Sequence, residues 1–172
     1  KGVMFGGVRN VVELNHVHHT NLEQSDTGAI GLCTRDLDER GGVIRHNLIH
    51  DPGGYNMLAS GEWLFPDYCW GIYLDDWTSG TTVFGNIVVG GSRGAVHIHG
   101  GQDNLVANNV FIGTAEWLVQ LSAKVPATVN GKPAVMTGNR ILRNLGVGPA
   151  GSAWIVGARA WREGIAECDR TL

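Results

Sequence analysis

The feature that most constrains the fold is an asparagine that recurs in one local setting. The pattern apolar-x-x-Asn-x-apolar occurs from Val12 to Val17, Ile44 to Ile49, Val83 to Val88 and Val106 to Phe111. A fifth copy, Ile141 to Gly146, has lost the last apolar position. The asparagines are Asn15, Asn47, Asn86, Asn109 and Asn144, so consecutive copies lie 32, 39, 23 and 35 residues apart. A second unit follows each asparagine: Ala29 to Cys33, Gly71 to Asp76, Ala95 to His99 and Leu118 to Ser122. Ile30/Leu32, Ile72/Leu74, Val96/Ile98 and Val119/Leu121 form inward pairs by strand alternation. The outward pairs are Gly31/Cys33, Tyr73/Asp75, His97/His99 and Gln120/Ser122.

Repeats of this kind predict an all-β solenoid in which each coil carries at least two short strands, about five coils in all. The 23-residue spacing approximates a bare coil, and the longer ones carry loops. No stretch shows sustained helical periodicity. An asparagine at a fixed place in every coil has a structural use. Rungs stack about 4.8 Å apart, so side-chain amides reach along the axis and satisfy polar groups at a buried bend. The asparagines are therefore read as architecture. In the stacked register Asp75 lies one rung from His99, and Tyr73 one rung from His97.

The repeat resembles that of right-handed parallel β-helix proteins, the pectate-lyase-like superfamily. More closely, four runs follow one another: Asp26-Thr27-Gly28-Ala29-Ile30, Gly42 to Asp51, Gly71-Ile72-Tyr73-Leu74-Asp75-Asp76 and Gly100-Gly101-Gln102-Asp103-Asn104. That series resembles bacterial carbohydrate-active enzymes of glycoside hydrolase family 141, which include α-L-fucosidases and a xylanase. The resemblance spans about residues 10 to 160. It implies a single right-handed parallel β-helix domain over residues 1–172, truncated on the N-terminal side, with a polar tail over 160–172. It also implies secretion or a periplasmic location in a bacterium. Family members often carry an aromatic after Asp-Thr-Gly-Ala-Ile; Gly31 here alters the expected substrate contacts.

Composition narrows the partners. A net charge of -3 and a pI near 6.1 argue against nucleic acid or an anionic membrane. The apolar runs are too short to span a bilayer. Three cysteines, Cys33, Cys69 and Cys168, imply no complete disulfide framework. The oligomeric state is not legible.

The acids carry the chemistry. Asp75 ends a strand on the face of Tyr73, and Asp76 begins the turn after it; either suits catalysis, and either suits a turn cap. Asp26 precedes the neighbouring strand and is the second catalytic candidate, read otherwise as an Asp turn. Asp36 is held as a spare. His97 and His99 face outward beside Tyr73 and Asp75 and are expected to bind substrate. Trp77, Gln102 and Asp103 are placed with them, Trp77 among exposed aromatics suited to the apolar face of a sugar, together with Trp63 and Trp70. The loop from Asp51 to Trp70 carries Tyr55, Met57, Phe65 and Tyr68 and is read as a cleft wall. His16, His18 and His19 suggest metal by composition, but no carboxylate stands at a matching spacing, so no metal site is assigned. His46 and His50 are expected to flank the asparagine bend.

Two chemistries on the same fold compete. A glycoside hydrolase needs a proton donor and a carboxylate nucleophile or base, with Asp26 and Asp75 or Asp76 as the pair. Because these acids come from different parts of their coils, inversion is favoured over retention. A polysaccharide lyase needs a cation and a base, with Asp26, Asp75, Asp76 and Asp103 around calcium and Arg35 or Arg93 as base. Lysine occurs only at Lys1, Lys124 and Lys132, which favours the hydrolase. That reading demands no cofactor, and its partner is a polysaccharide or oligosaccharide. A non-catalytic glycan-binding β-helix is the third reading.

Overall fold

A computed structural model describes residues 1–124, 127–149, 153–156 and 166–168. Every regular element among them is a strand. Three parallel sheets hold most of the strands. The first sheet contains Val3–Phe5, Thr27–Cys33, Cys69–Asp75, Gly94–His99, Trp117–Ser122 and Ala153–Val156. The second contains Val11–Glu13, Val43–Arg45, Thr82–Phe84, Leu105–Ala107, Asn139–Leu142 and Ala166–Cys168. The third contains His16–Thr20, Leu48–Pro52, Ile87–Val89, Val110–Ile112 and Leu145–Val147. The chain visits first, second and third sheet in turn, then returns to the first one strand further along. The tail expected over 160–172 lies outside the described residues, except that Ala166–Cys168 pairs with Asn139–Leu142 as a strand.

The register follows the inward pairs. Ile30 opposes Ile72 and Leu32 opposes Leu74; Val96 and Ile98 continue both rows, as do Val119 and Leu121. All eight are buried. Ile44, Val83, Val106 and Ile141 form a matching row in the second sheet. Val17, Ile49, Val88 and Phe111 form one in the third. These rows meet in one core. Each such side chain contributes about 1.5–3 kcal/mol by leaving water.

Strict alternation fails at the start of the first-sheet strands. Ala29 and Ala95 are core residues beside Ile30 and Val96, and Leu118 sits beside Val119. A side chain on Gly71 would meet Val88 and Ala95 of the core, so this position also faces inward, next to Ile72. Two consecutive residues face in, and the residue before them faces out. Trp70 therefore lies on the outer face of the sheet with Tyr73, covered by its neighbours. It passes over Gly94, whose missing Cβ would lie 3.3 Å from the indole, and donates to Gln120 Oε1 at 3.2 Å.

The asparagines form the expected ladder. Nδ2 of Asn15, Asn47, Asn86 and Asn109 each donates to Oδ1 of the next asparagine, at 3.0, 2.9, 2.9 and 2.9 Å. That oxygen also accepts from the preceding backbone N–H. The residue before each asparagine (Leu14, His46, Gly85, Asn108, Arg143) is left-handed, which makes the sharp turn between second and third sheets. His46 stands at this bend as expected, against Phe84; His50 does not, and lies within a third-sheet strand. A second ladder, not anticipated, runs between the first and second sheets: Asn104 donates to Asn139 at 3.0 Å, and the Thr81 N–H to Asn104 at 2.9 Å.

Two insertions leave the core at opposite ends of the first-sheet strands. Asn56–Met57 and Trp63–Leu64 form an antiparallel hairpin before Cys69–Asp75. Ala127–Val129 and Lys132–Ala134 form another after Trp117–Ser122. The second packs Val129 and Ala134 against Leu37 and Trp77.

Candidate functional site

The outer face of the first sheet gathers the predicted acids and histidines. Tyr73, stacked on His97 at 4.8 Å, points its hydroxyl between neighbours. That hydroxyl lies 3.3 Å from Asp26 Oδ1 and 3.4 Å from His99 Nδ1. His99 Nδ1 is in turn 2.9 Å from Asp75 Oδ1, which also accepts the Asp76 N–H at 2.7 Å. Asp26, left-handed at the strand entry, thus joins Asp75 and His99 through one phenol, as the stacking of coils predicts.

Burial pushes the Asp75 carboxyl upward, but hydrogen bonds from His99, the Asp76 N–H and Tyr73 outweigh it and hold it at about 2. Asp75 is therefore an anion across the physiological range. Burial, then the charges of Asp75 and Asp26, push the Tyr73 phenol far above its ordinary value, so it remains a neutral donor. An ionised carboxylate only accepts, so His99 carries a hydrogen on Nδ1. The Tyr73 proton then goes to a carboxylate. Asp75 and His99 keep 21% and 27% of their side-chain surface, enough to meet a ligand.

Other expected site residues are placed differently. His97 is fully buried between Trp70, Tyr73 and His99, with Nε2 on Ser122, so it supports the face from beneath and is not open to solvent as expected. Tyr73 is buried except at its edge, and Trp70 is fully buried rather than an exposed platform. Asp76 is buried, with its carboxylate on Lys124 and on Arg35 Nε at 2.7 Å. Burial raises that carboxyl, the two cations lower it, and the cations win. Asp76 thus pins the turn through these two cations. Trp77 packs against the Leu37 cluster beneath Lys124. Gln102 and Asp103 lie in the turn toward the second sheet; Asp103 pairs with Arg40 at 2.6 Å and joins none of the network residues. Gly31 is covered by Met4, whose sulfur would lie 2.7 Å from a Cβ there. Asp36 caps its own loop at the Asp38 N–H.

Sequence reasoning named Trp70 among the aromatics and Gln120 as outward without joining the two, and it missed Lys124 and Arg35 as the partners of Asp76. The 51–70 insertion does form a wall, but elsewhere. Tyr55 stacks on Phe65 at 4.3 Å, and both line a cavity of about 450 Å³ together with His19, Asp51, Pro66 and Ser92. None of Asp26, Tyr73, Asp75 or His99 lines it. The network lies instead on the outer face of the first sheet. Comparisons with family models, with curated proteins and with solved structures found no match.

Proposed function

We propose that this chain is a stack of about five coils of a right-handed parallel β-helix, and that it belongs to a secreted or periplasmic bacterial glycoside hydrolase acting on a plant, algal or other complex polysaccharide. The observation that carries the reading is the Asp26–Tyr73–His99–Asp75 network on the outer face of the first sheet. Asp75, held at about 2, serves as nucleophile or base. Asp26, exposed across the Tyr73 hydroxyl, is the second carboxyl that glycoside cleavage requires. Tyr73 and His99 orient the pair. The order of the three sheets supports the β-helix.

The lyase reading is weakened by the placement of its parts. Arg93 is tied to Glu116 at 2.7 Å, and Arg35 to Asp76, so neither is free to act as base. Three of the four acids proposed around calcium already have partners of their own: Asp76 has Lys124 and Arg35, Asp103 has Arg40, and Asp75 has His99. The test is incubation of the protein with a panel of plant and algal glycans. New reducing ends without an ultraviolet-absorbing unsaturated product support hydrolysis. An unsaturated product overturns it in favour of elimination, and retention without cleavage leaves a glycan-binding module.

A further inference from the structure

A second cluster lies away from this network, on the outer face of the third sheet. His16–Thr20 pairs with Leu48–Pro52, setting His18 directly opposite His50. Their rings stack at 5.0 Å and 4°. His16 Nε2 lies 2.7 Å from His50 Nε2, and His18 Nδ1 lies 2.8 Å from His19 Nδ1. In an ordinary strand His19 and Asp51 would face the core. Both are instead left-handed, at φ 49° and 50°, and the kink turns both side chains out beside His18 and His50. The same deviation in two neighbouring strands brings the imidazoles and a carboxylate together. His19, His50 and Asp51 each offer a ligand atom within 4.8 Å of the other two.

We propose that this face binds one zinc-class divalent ion, with His19, His50 and Asp51 as ligands. The inference is independent of the glycan site. Small side-chain rotations bring three such atoms to the roughly 2.0–2.2 Å bonds that zinc makes with nitrogen and oxygen. Imidazole-rich sites with one carboxylate select zinc, nickel, cobalt or copper over calcium and magnesium, which prefer all-oxygen shells. His50 Nδ1 lies 2.8 Å from Asp51 Oδ2, so an imidazole nitrogen and a carboxylate oxygen already meet where an ion would join them. His19 and Asp51 also line the cavity beside Tyr55 and Phe65, so a bound ion faces a space a small ligand can enter.

The experiment is calorimetric titration of Zn²⁺ into the protein, made without a polyhistidine tag and stripped with chelator, at neutral pH. One equivalent is expected to bind in the micromolar range or tighter. Affinity should fall at least about tenfold in His50→Ala and in His19→Ala. It should be unchanged in Cys33→Ser, which breaks the separate Cys33, Asp75 and Asp76 group. Co²⁺ should give a visible spectrum of nitrogen ligation that His19→Ala removes, and circular dichroism shows that this variant is folded, its ring being exposed. Calcium should not compete. Absence of binding below about millimolar Zn²⁺ overturns the proposal, as does binding that His50→Ala and His19→Ala leave intact or that Cys33→Ser abolishes.

Discussion

Nδ1 of His99 lies 2.9 Å from Oδ1 of Asp75, across one step of a parallel sheet and 24 residues apart in the chain. The contact requires both residues to face outward at the same height on neighbouring strands. That holds only if Ile72/Leu74 and Val96/Ile98 stack in register beneath them, as they do. A slip of one residue would turn both polar groups into the core.

Leu74 is the most direct test of that register. It is fully buried between Leu32 and Ile98. Leu74→Ala should cost about 2–5 kcal/mol. Chemical denaturation measures it, and a loss under about 1 kcal/mol would place Leu74 at the surface and undo the site.

The asparagine ladder should behave as structure. Asn86 donates to Ile44 and Asn109 and accepts from Asn47, all without access to water. Asn86→Ala leaves these partners unsatisfied, at about 1–3 kcal/mol. Hydrogen exchange should rise at the Asn47 amide, which donates to Asn86 Oδ1. Unchanged stability and exchange would contradict the ladder.

Stability should fall with acid, and His97 accounts for part of the slope. Burial and the neighbouring His99 hold it at about 3, below its ordinary 6.5. The unfolded chain takes up a proton below about 6.5 while the folded chain does not. The contribution is therefore whole above that pH and is lost as pH falls toward 3, at about 1.4 kcal/mol per unit. Asp75, held at about 2 against 3.8, adds a loss only below about pH 4. His97→Gln should flatten the melting temperature between pH 6.5 and 4. Parallel profiles for the two proteins would show that His97 is not the group responsible.

Much of this was legible because the repeat is periodic. The asparagine positions predicted a ladder, and alternation around Ile72 and Leu74 predicted which face Asp75 and His99 share. What escaped has local physical causes. Among the described residues the second ladder shows Asn104 and Asn139, with Thr81 in the preceding coil, too few copies to show a period. The third-sheet strands run only three to five residues, too short for an alternation to stand out in the sequence. The doubled inward residues, marked only by small Ala29, Gly71 and Ala95, put Trp70 on an unexpected face. Asp76 reads like Asp75 in sequence, but its cations come from Arg35, 41 residues before it, and Lys124, 48 after it. Asp51 could not be joined to His19 without the kinks at both positions.

The central claim is that the ionised Asp75 on this sheet face cleaves a glycan. It is tested most directly by the turnover of Asp75→Asn on whichever glycan the native protein cleaves, with both proteins compared by thermal melting. Asparagine keeps an acceptor for the Asp76 N–H, so the fold should survive. Turnover should fall by about 10²–10⁴-fold while melting shifts by no more than a few degrees. Near-native turnover in a folded Asp75→Asn protein would contradict the account and remove this network from the chemistry.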